Sequence, residues 1–158
     1  MRLLEVQNLH LNFATNAVLR GVDLQINRGQ LLGLVGPNGS GKTSLIRAII
    51  GLLRVAAGRV CIAGVDINVD PLNARRGFGF APDPARLPSS LTGRQALSVS
   101  AAARNLDGVP AGTLELAERL GALPWIDQRI EIYSLGTRQK YAILIALLGD
   151  PMLLVLDE

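Results

Sequence analysis

The chain has 158 residues, 49% of them hydrophobic and 18% charged, with a formal net charge of +3. That length fits one domain and leaves little room for a second, and so apolar a composition excludes intrinsic disorder. One cysteine, Cys61, and one histidine, His10, exclude a disulfide scaffold, a Cys/His zinc site and any mechanism that needs a second histidine.

Residues 3–9 and 18–26 each alternate apolar and polar side chains, with Leu19, Val22, Leu24 and Ile26 apolar in the second, and a turn falls around Ala14 to Asn16. This pattern predicts an antiparallel pair of half-buried strands. The same alternation in MRLLEVQNLHLNF is not the continuous apolar core of a signal peptide, so the chain is expected to stay in the cytoplasm. Residues 31–35 (LLGLV) form a continuous apolar run that predicts a strand buried on both faces, ending at Gly36-Pro37-Asn38-Gly39. A helix follows, with Leu45, Ile46, Ile49 and Ile50 at helical spacing and Gly51 near its end. Residues 58–63 predict a short strand, and Asp70-Pro71 reads as a turn.

From Phe78 a further strand runs into Pro82, Pro84 and Pro88, a segment too rich in proline for a helix or a central strand. Thr92 caps a helix that extends to about Asn105. Residues 113–120 are helical with Leu114, Ala117 and Leu120 on one face, closed by residues 121–124. The last helix starts near Gly136 and stops at Gly149-Asp150-Pro151. Residues 153–156 then read as a buried strand carrying Asp157 and Glu158 at its tip. The longest apolar stretch there, 141–149, is far short of the roughly 20 residues of a membrane helix. Cys61 reads as a small apolar core residue and His10 as a strand surface residue. The arginines are scattered, with only Arg75 and Arg76 adjacent, so no nucleic acid is expected. The basic residues suit anionic lipid or the membrane-side loops of a partner.

Gly36-Pro37-Asn38-Gly39-Ser40-Gly41-Lys42-Thr43 matches G-x-x-x-x-G-K-[ST], followed by Ser44 in the first helical turn, and lies between a predicted strand and a predicted helix. Glycines without a Cβ let successive backbone N–H groups turn inward around phosphate oxygens, and the helix N-terminus adds its positive dipole end. Lys42 then reaches the β- and γ-phosphates and the Thr43 hydroxyl ligates Mg²⁺. Lys42 and Lys140 are the only lysines in the chain. Two acids ending a strand are often ordinary surface residues. After a phosphate loop, Asp157 becomes the candidate to hold magnesium through water and Glu158 the candidate general base.

Between these pieces lies Tyr133-Ser134-Leu135-Gly136-Thr137-Arg138-Gln139-Lys140. The order of phosphate loop, Ser-x-Gly turn opening a helix, Asp-Pro, and apolar strand with Asp-Glu resembles the ATP-binding subunit of ABC transporters over essentially the whole chain. The family signature LSGGQ stands here as residues 133–137, keeping Ser134 and Gly136 and replacing the first, third and fifth residues. The resemblance implies an α/β fold: a P-loop NTPase with a RecA-like core, an antiparallel β N-terminal subdomain and an inserted helical subdomain at about 84–132 facing a transmembrane permease subunit. It implies ATP and Mg²⁺ as cofactors. It also implies a head-to-tail dimer with a second ATP-binding subunit, in which Ser134 and Gly136 hold the partner's nucleotide, and a place at the cytoplasmic face of the membrane. Phe13 stands where the family has an aromatic that stacks on adenine, although a lone aromatic in such a strand also suits a core. The family's Q-loop glutamine falls at Asp83, a departure: a carboxylate can bind Mg²⁺ but cannot donate amide hydrogen bonds. The acid at this place and the YS-x-G signature resemble the bacterial export-type subset.

In the family the domain continues past the Asp-Glu pair with a loop, a strand and a switch histidine. The expectation is therefore of an ABC-type domain, residues 1–158, lacking its C-terminal part. Such a chain should retain phosphate contacts, hydrolyse ATP weakly or not at all by itself and be marginally stable. Two rivals are a soluble ABC-type ATPase unlinked to transport, disfavoured by the lack of heptads or repeats, and a non-catalytic nucleotide-binding or regulatory module.

Overall fold

The computed structural model describes residues 2–14 and 16–157; Glu158 lies outside the described residues. The chain divides into two compact units, residues 1–78 and 79–158.

The first unit is built on the predicted hairpin. β1 (Arg2–Phe13) pairs antiparallel with β2 (Asn16–Asn27) on one side and with β3 (Ala57–Ile62) on the other, and β4 (Val65–Asp66) extends the sheet in the order β2-β1-β3-β4. Along β1 the core face begins with Leu4 and Val6, and strict alternation would bring residue 8 inward next. Residue 8 is an asparagine at φ 44, and the register shifts between Val6 and Leu9. The bulge resets the alternation, so that Leu9 and Leu11 are buried instead. Gly58 of β3 lies opposite at φ 95, where a Cβ would run into the backbone of Gln7 and Asn8. Only glycine fits there.

α1 (Lys42–Ile49) buries Leu45, Ile46, Ala48 and Ile49, the predicted stripe, and Gly51 follows at φ 70. Two expectations are corrected in this unit. Residues 31–35 form no strand: Leu31 and Val35 are almost fully exposed, at 101% and 98%, and Leu32 is 43% exposed. A strand buried on both faces needs a hydrogen-bonded neighbour on each side, and the four-stranded sheet does not include this segment. Asp70-Pro71 marks the start of a helix, α2 (Pro71–Arg76), and not merely a turn. The Asp70 carboxylate accepts the Asn73 N–H at 3.2 Å, and proline suits the first helical position, where no N–H is needed.

In the second unit β5 (Phe78–Ala81) and β6 (Leu153–Leu156) form a two-stranded sheet. Three helices pack together, α3 (Gly93–Ala103), α4 (Ala111–Arg119) and α5 (Leu135–Ala146), with α5 against both others and against the 3₁₀ turn Pro84–Arg86. Thr92 caps α3 as predicted, in a complete capping box. Its hydroxyl accepts the Gln95 N–H at 3.2 Å and the Gln95 amide oxygen accepts the Thr92 N–H at 2.9 Å. The core joins Leu97, Ala101, Ala117, Ile130, Tyr141, Leu144 and Leu148, all fully buried. β6 departs from expectation in one respect: Leu153 is buried, but Leu154 and Leu156 are 41% and 56% exposed. With β5 as its neighbour in a sheet of only two strands, β6 is not covered on both faces.

Candidate functional site

The residues 36–43 turn sharply from extended chain into α1. Ser40 N–H donates to the Pro37 carbonyl at 3.2 Å, Gly39 and Gly41 sit at φ 79 and 93, and the Gly41 carbonyl accepts the first helical bond, from Leu45 N–H at 2.8 Å. At Gly41 a Cβ would be strained by its φ and would press on Val18 and Leu19 at 3.3 Å, so this turn is specified by glycine on both counts. Lys42 Nζ folds back over the loop and donates to the carbonyls of Gly36, at 2.8 Å, and Pro37, at 3.0 Å. The ammonium is thus held above the turn by exposed backbone oxygens that water or another acceptor can replace. No acid lies in the first turn of α1, which leaves the helix N-terminus positive. Thr43 and Ser44, half-buried, follow directly. This loop fits a polyphosphate: its glycines, lysine and helix end converge on one place.

In the second unit the predicted turn before α5 is present in detail. Ser134 is the N-cap, its Oγ accepting the Thr137 N–H at 3.1 Å and lying 2.9 Å from the Thr137 hydroxyl. Arg138 braces the turn from behind, donating to the carbonyls of Tyr133 at 3.3 Å and Glu131 at 3.1 Å. The front of the turn is open: Leu135 is 65% exposed, and a Cβ at Gly136 would meet nothing within 4 Å. Beneath it Tyr133 and Tyr141 stack with ring centroids 5.0 Å apart. Tyr141 donates to the Ala122 carbonyl at 3.1 Å, and burial raises the pKa of both phenols above the ordinary value.

Asp157 is half-buried at the end of β6. Among the described residues no group of three or more His, Cys, Asp or Glu side chains could hold a metal ion. A magnesium here would need hard oxygens of other kinds. Hydroxyl, carboxylate and phosphate oxygens are the donors its chemistry prefers. The Asp83 carboxylate accepts the Ala85 N–H at 2.9 Å, capping the 3₁₀ turn, and lies 3.7 Å from Arg86 Nε. Phe13, at the end of β1, is 48% exposed and so is not a core residue. His10 pairs with Asn8 Oδ1 at 3.0 Å beside the bulge. Cys61 is buried, as expected of a small apolar residue, and burial raises its thiol pKa.

One residue of this region was not singled out by its motif. Gln139 lines a cleft of about 220 Å³ together with Asp157, from the face of α5 that also carries Ala142 and Ile143. The available signal was a polar residue at i relative to two apolar residues at i+3 and i+4.

Residues 19–158, almost nine-tenths of the chain, match the family described as ABC transporter. The chain belongs to this family. It is 34% identical over 162 residues to the uncharacterized ABC transporter ATP-binding protein YdbJ of Bacillus subtilis, covering 99% of this chain and 50% of that protein. It is 35% identical over 157 residues to the zinc import ATP-binding protein ZnuC of Pseudomonas entomophila, covering 99% of this chain and 56% of that one. Among solved structures it resembles an ATP-binding subunit of an ABC transporter with a TM-score of 0.88 and 30% identity, over 99% of this chain and 66% of that one. The chain therefore spans about half the length of the curated relatives it matches, and its fold is that of a P-loop NTPase with an antiparallel β subdomain. Among the described residues no helix of this ABC-family chain is long and apolar enough to cross a membrane.

Proposed function

We propose that residues 1–158 act as an ABC-type ATP-binding domain that binds and hydrolyses ATP to power transport through a separate membrane permease subunit. The observation that carries this reading is the loop at 36–43, with Lys42 Nζ poised over a glycine turn at the N-terminus of α1. In this reading the backbone N–H groups of residues 36–44 hold the phosphates, Lys42 offsets their charge, and Phe13 stacks on the base. Thr43 and Asp157 hold magnesium, which when bound neutralises charge on the phosphate oxygens. Glu158 polarises the attacking water, and Asp83, which caps its own turn, is a further candidate for the metal.

The exposed Ser134-Leu135-Gly136 turn supports a second role, contact with nucleotide held by another copy in a head-to-tail dimer. Partner docking is supported by exposed apolar side chains in the first unit, Leu52 at 62%, Val69 at 81% and Leu72 at 72%. The region 84–132 is the lobe assigned to the permease by family resemblance. On this reading the protein sits at the cytoplasmic face of a membrane. Phosphate release and sedimentation of the intact protein test it together. Mg-ATP binding and a dimer that appears only with ATP are expected, with turnover by this chain alone weak or absent, and a protein that neither binds Mg-ATP nor dimerises with it would overturn the reading.

A further inference from the structure

Residues 47–76 hold five arginines, two aspartates and no other charged side chain, so this stretch carries the whole formal net charge of the chain, +3. Both aspartates are occupied within it. Asp66 pairs with Arg59 at 2.8 Å, and the two Asp70 oxygens accept the backbone and side-chain N–H groups of Asn73. Arg54, Arg75 and Arg76 are exposed, and among the described residues they make no ion pair. The first unit gathers these cations around apolar side chains. Arg75 Nη2 donates to the Gly51 carbonyl at 3.3 Å, which ties α2 to the turn after α1 and sets it beside Leu52 and Arg54. Leu72 stands one helical turn before Arg75 and Arg76, and Val69 precedes the cap of the same helix.

Leu52, Leu72 and Val69 are 62%, 72% and 81% exposed, so they project from the surface and are not the walls of a peptide groove. Projecting aliphatic tips among cations suit the boundary of a bilayer, where the tips enter the acyl layer and guanidinium groups hold lipid phosphates. No aromatic residue occurs at 47–76 to stack on a base, which disfavours a nucleic-acid surface. We propose that Leu52, Arg54, Val69, Leu72, Arg75 and Arg76 form a docking face for an anionic phospholipid surface. The proposal rests on the membrane-face placement given above and names the occupant of that face.

The test is co-sedimentation of the intact protein with vesicles of phosphatidylcholine alone, or of phosphatidylcholine and phosphatidylglycerol in equal parts, with Mg-ATP binding measured in parallel. Binding to the mixed vesicles and not to the neutral ones is expected. Arg54→Gln and Arg76→Gln should each weaken it about fivefold, the value of one basic residue at an anionic surface. Leu72→Ser should weaken it about tenfold, with melting temperature and Mg-ATP binding unchanged in all three variants. Equal binding to both kinds of vesicle, or three variants that bind like the wild type, would overturn the proposal. Binding to soluble polyglutamate without binding to the mixed vesicles would overturn it in favour of an acidic protein partner. A protein that binds Mg-ATP but no vesicle overturns this proposal alone; one that binds the mixed vesicles but not Mg-ATP upholds it and overturns the nucleotide reading.

Discussion

Asp83 shows one side chain serving local geometry, its carboxylate capping the turn that follows it. As a residue type in a nucleotide-binding family it suits a metal; in the structure it accepts the Ala85 N–H and faces Arg86. Replacement by alanine should lower the stability of the second unit by about 1 kcal/mol, the usual value of a lost cap, and replacement by asparagine should restore most of it. Urea midpoints of the two variants check this; equal midpoints would show that the cap contributes nothing. At this scale the glycine turn at 36–43 and the Ser134 cap were readable as local structure, because each is defined by consecutive residues. The cap at Asp83 is just as local, its partners lying two and three residues on, but a segment read only as too rich in proline for a helix hid it.

Capping signals carried most of the elements that could be read in advance. Thr92 predicted the start of α3, and the structure adds Gln95 three residues on, forming both reciprocal bonds of a capping box. Thr92→Ala should cost about 1 kcal/mol and fray the first turn of α3, visible as faster amide exchange at 93–96. Exchange unchanged there would contradict the assignment. The same logic would have found α2, since Asp70-Pro71 is a cap followed by proline at the first helical position, but the pair also fits a turn and the helix is only six residues long. Residues 31–35 went the other way. A continuous apolar run states that burial is wanted but not what supplies it, and no strand forms there. The bulge at Asn8 was equally hidden, because alternation in β1 is interrupted by a backbone conformation that composition does not reveal.

At the scale of the molecule, the two buried phenols under the Ser134 turn link stability to pH. Burial raises the pKa of Tyr133 and Tyr141 in the folded chain, whereas in the unfolded chain they ionise near the ordinary value of about 10. Below that value both states hold the protons and stability is unaffected. Above it the unfolded state loses protons that the folded state keeps, so stability falls as pH rises past about 10. Tyr141→Phe should flatten this alkaline loss and lower stability at neutral pH by about 1 to 3 kcal/mol, since the Ala122 carbonyl loses its buried donor. Melting followed from pH 7 to 11 checks both arms, and a wild-type profile that stays flat above 10 would contradict the linkage.

The central claim is that the turn at 36–43 is a phosphate site governed by Lys42. Its most direct test is equilibrium binding of Mg-ATP to the intact protein and to Lys42→Ala, with melting temperatures measured in parallel. Removal of one charged hydrogen-bonding group, at about 1.5 to 3 kcal/mol, should weaken binding by about tenfold to a hundredfold with little change in melting. Equal affinity of the two proteins for Mg-ATP would contradict the account.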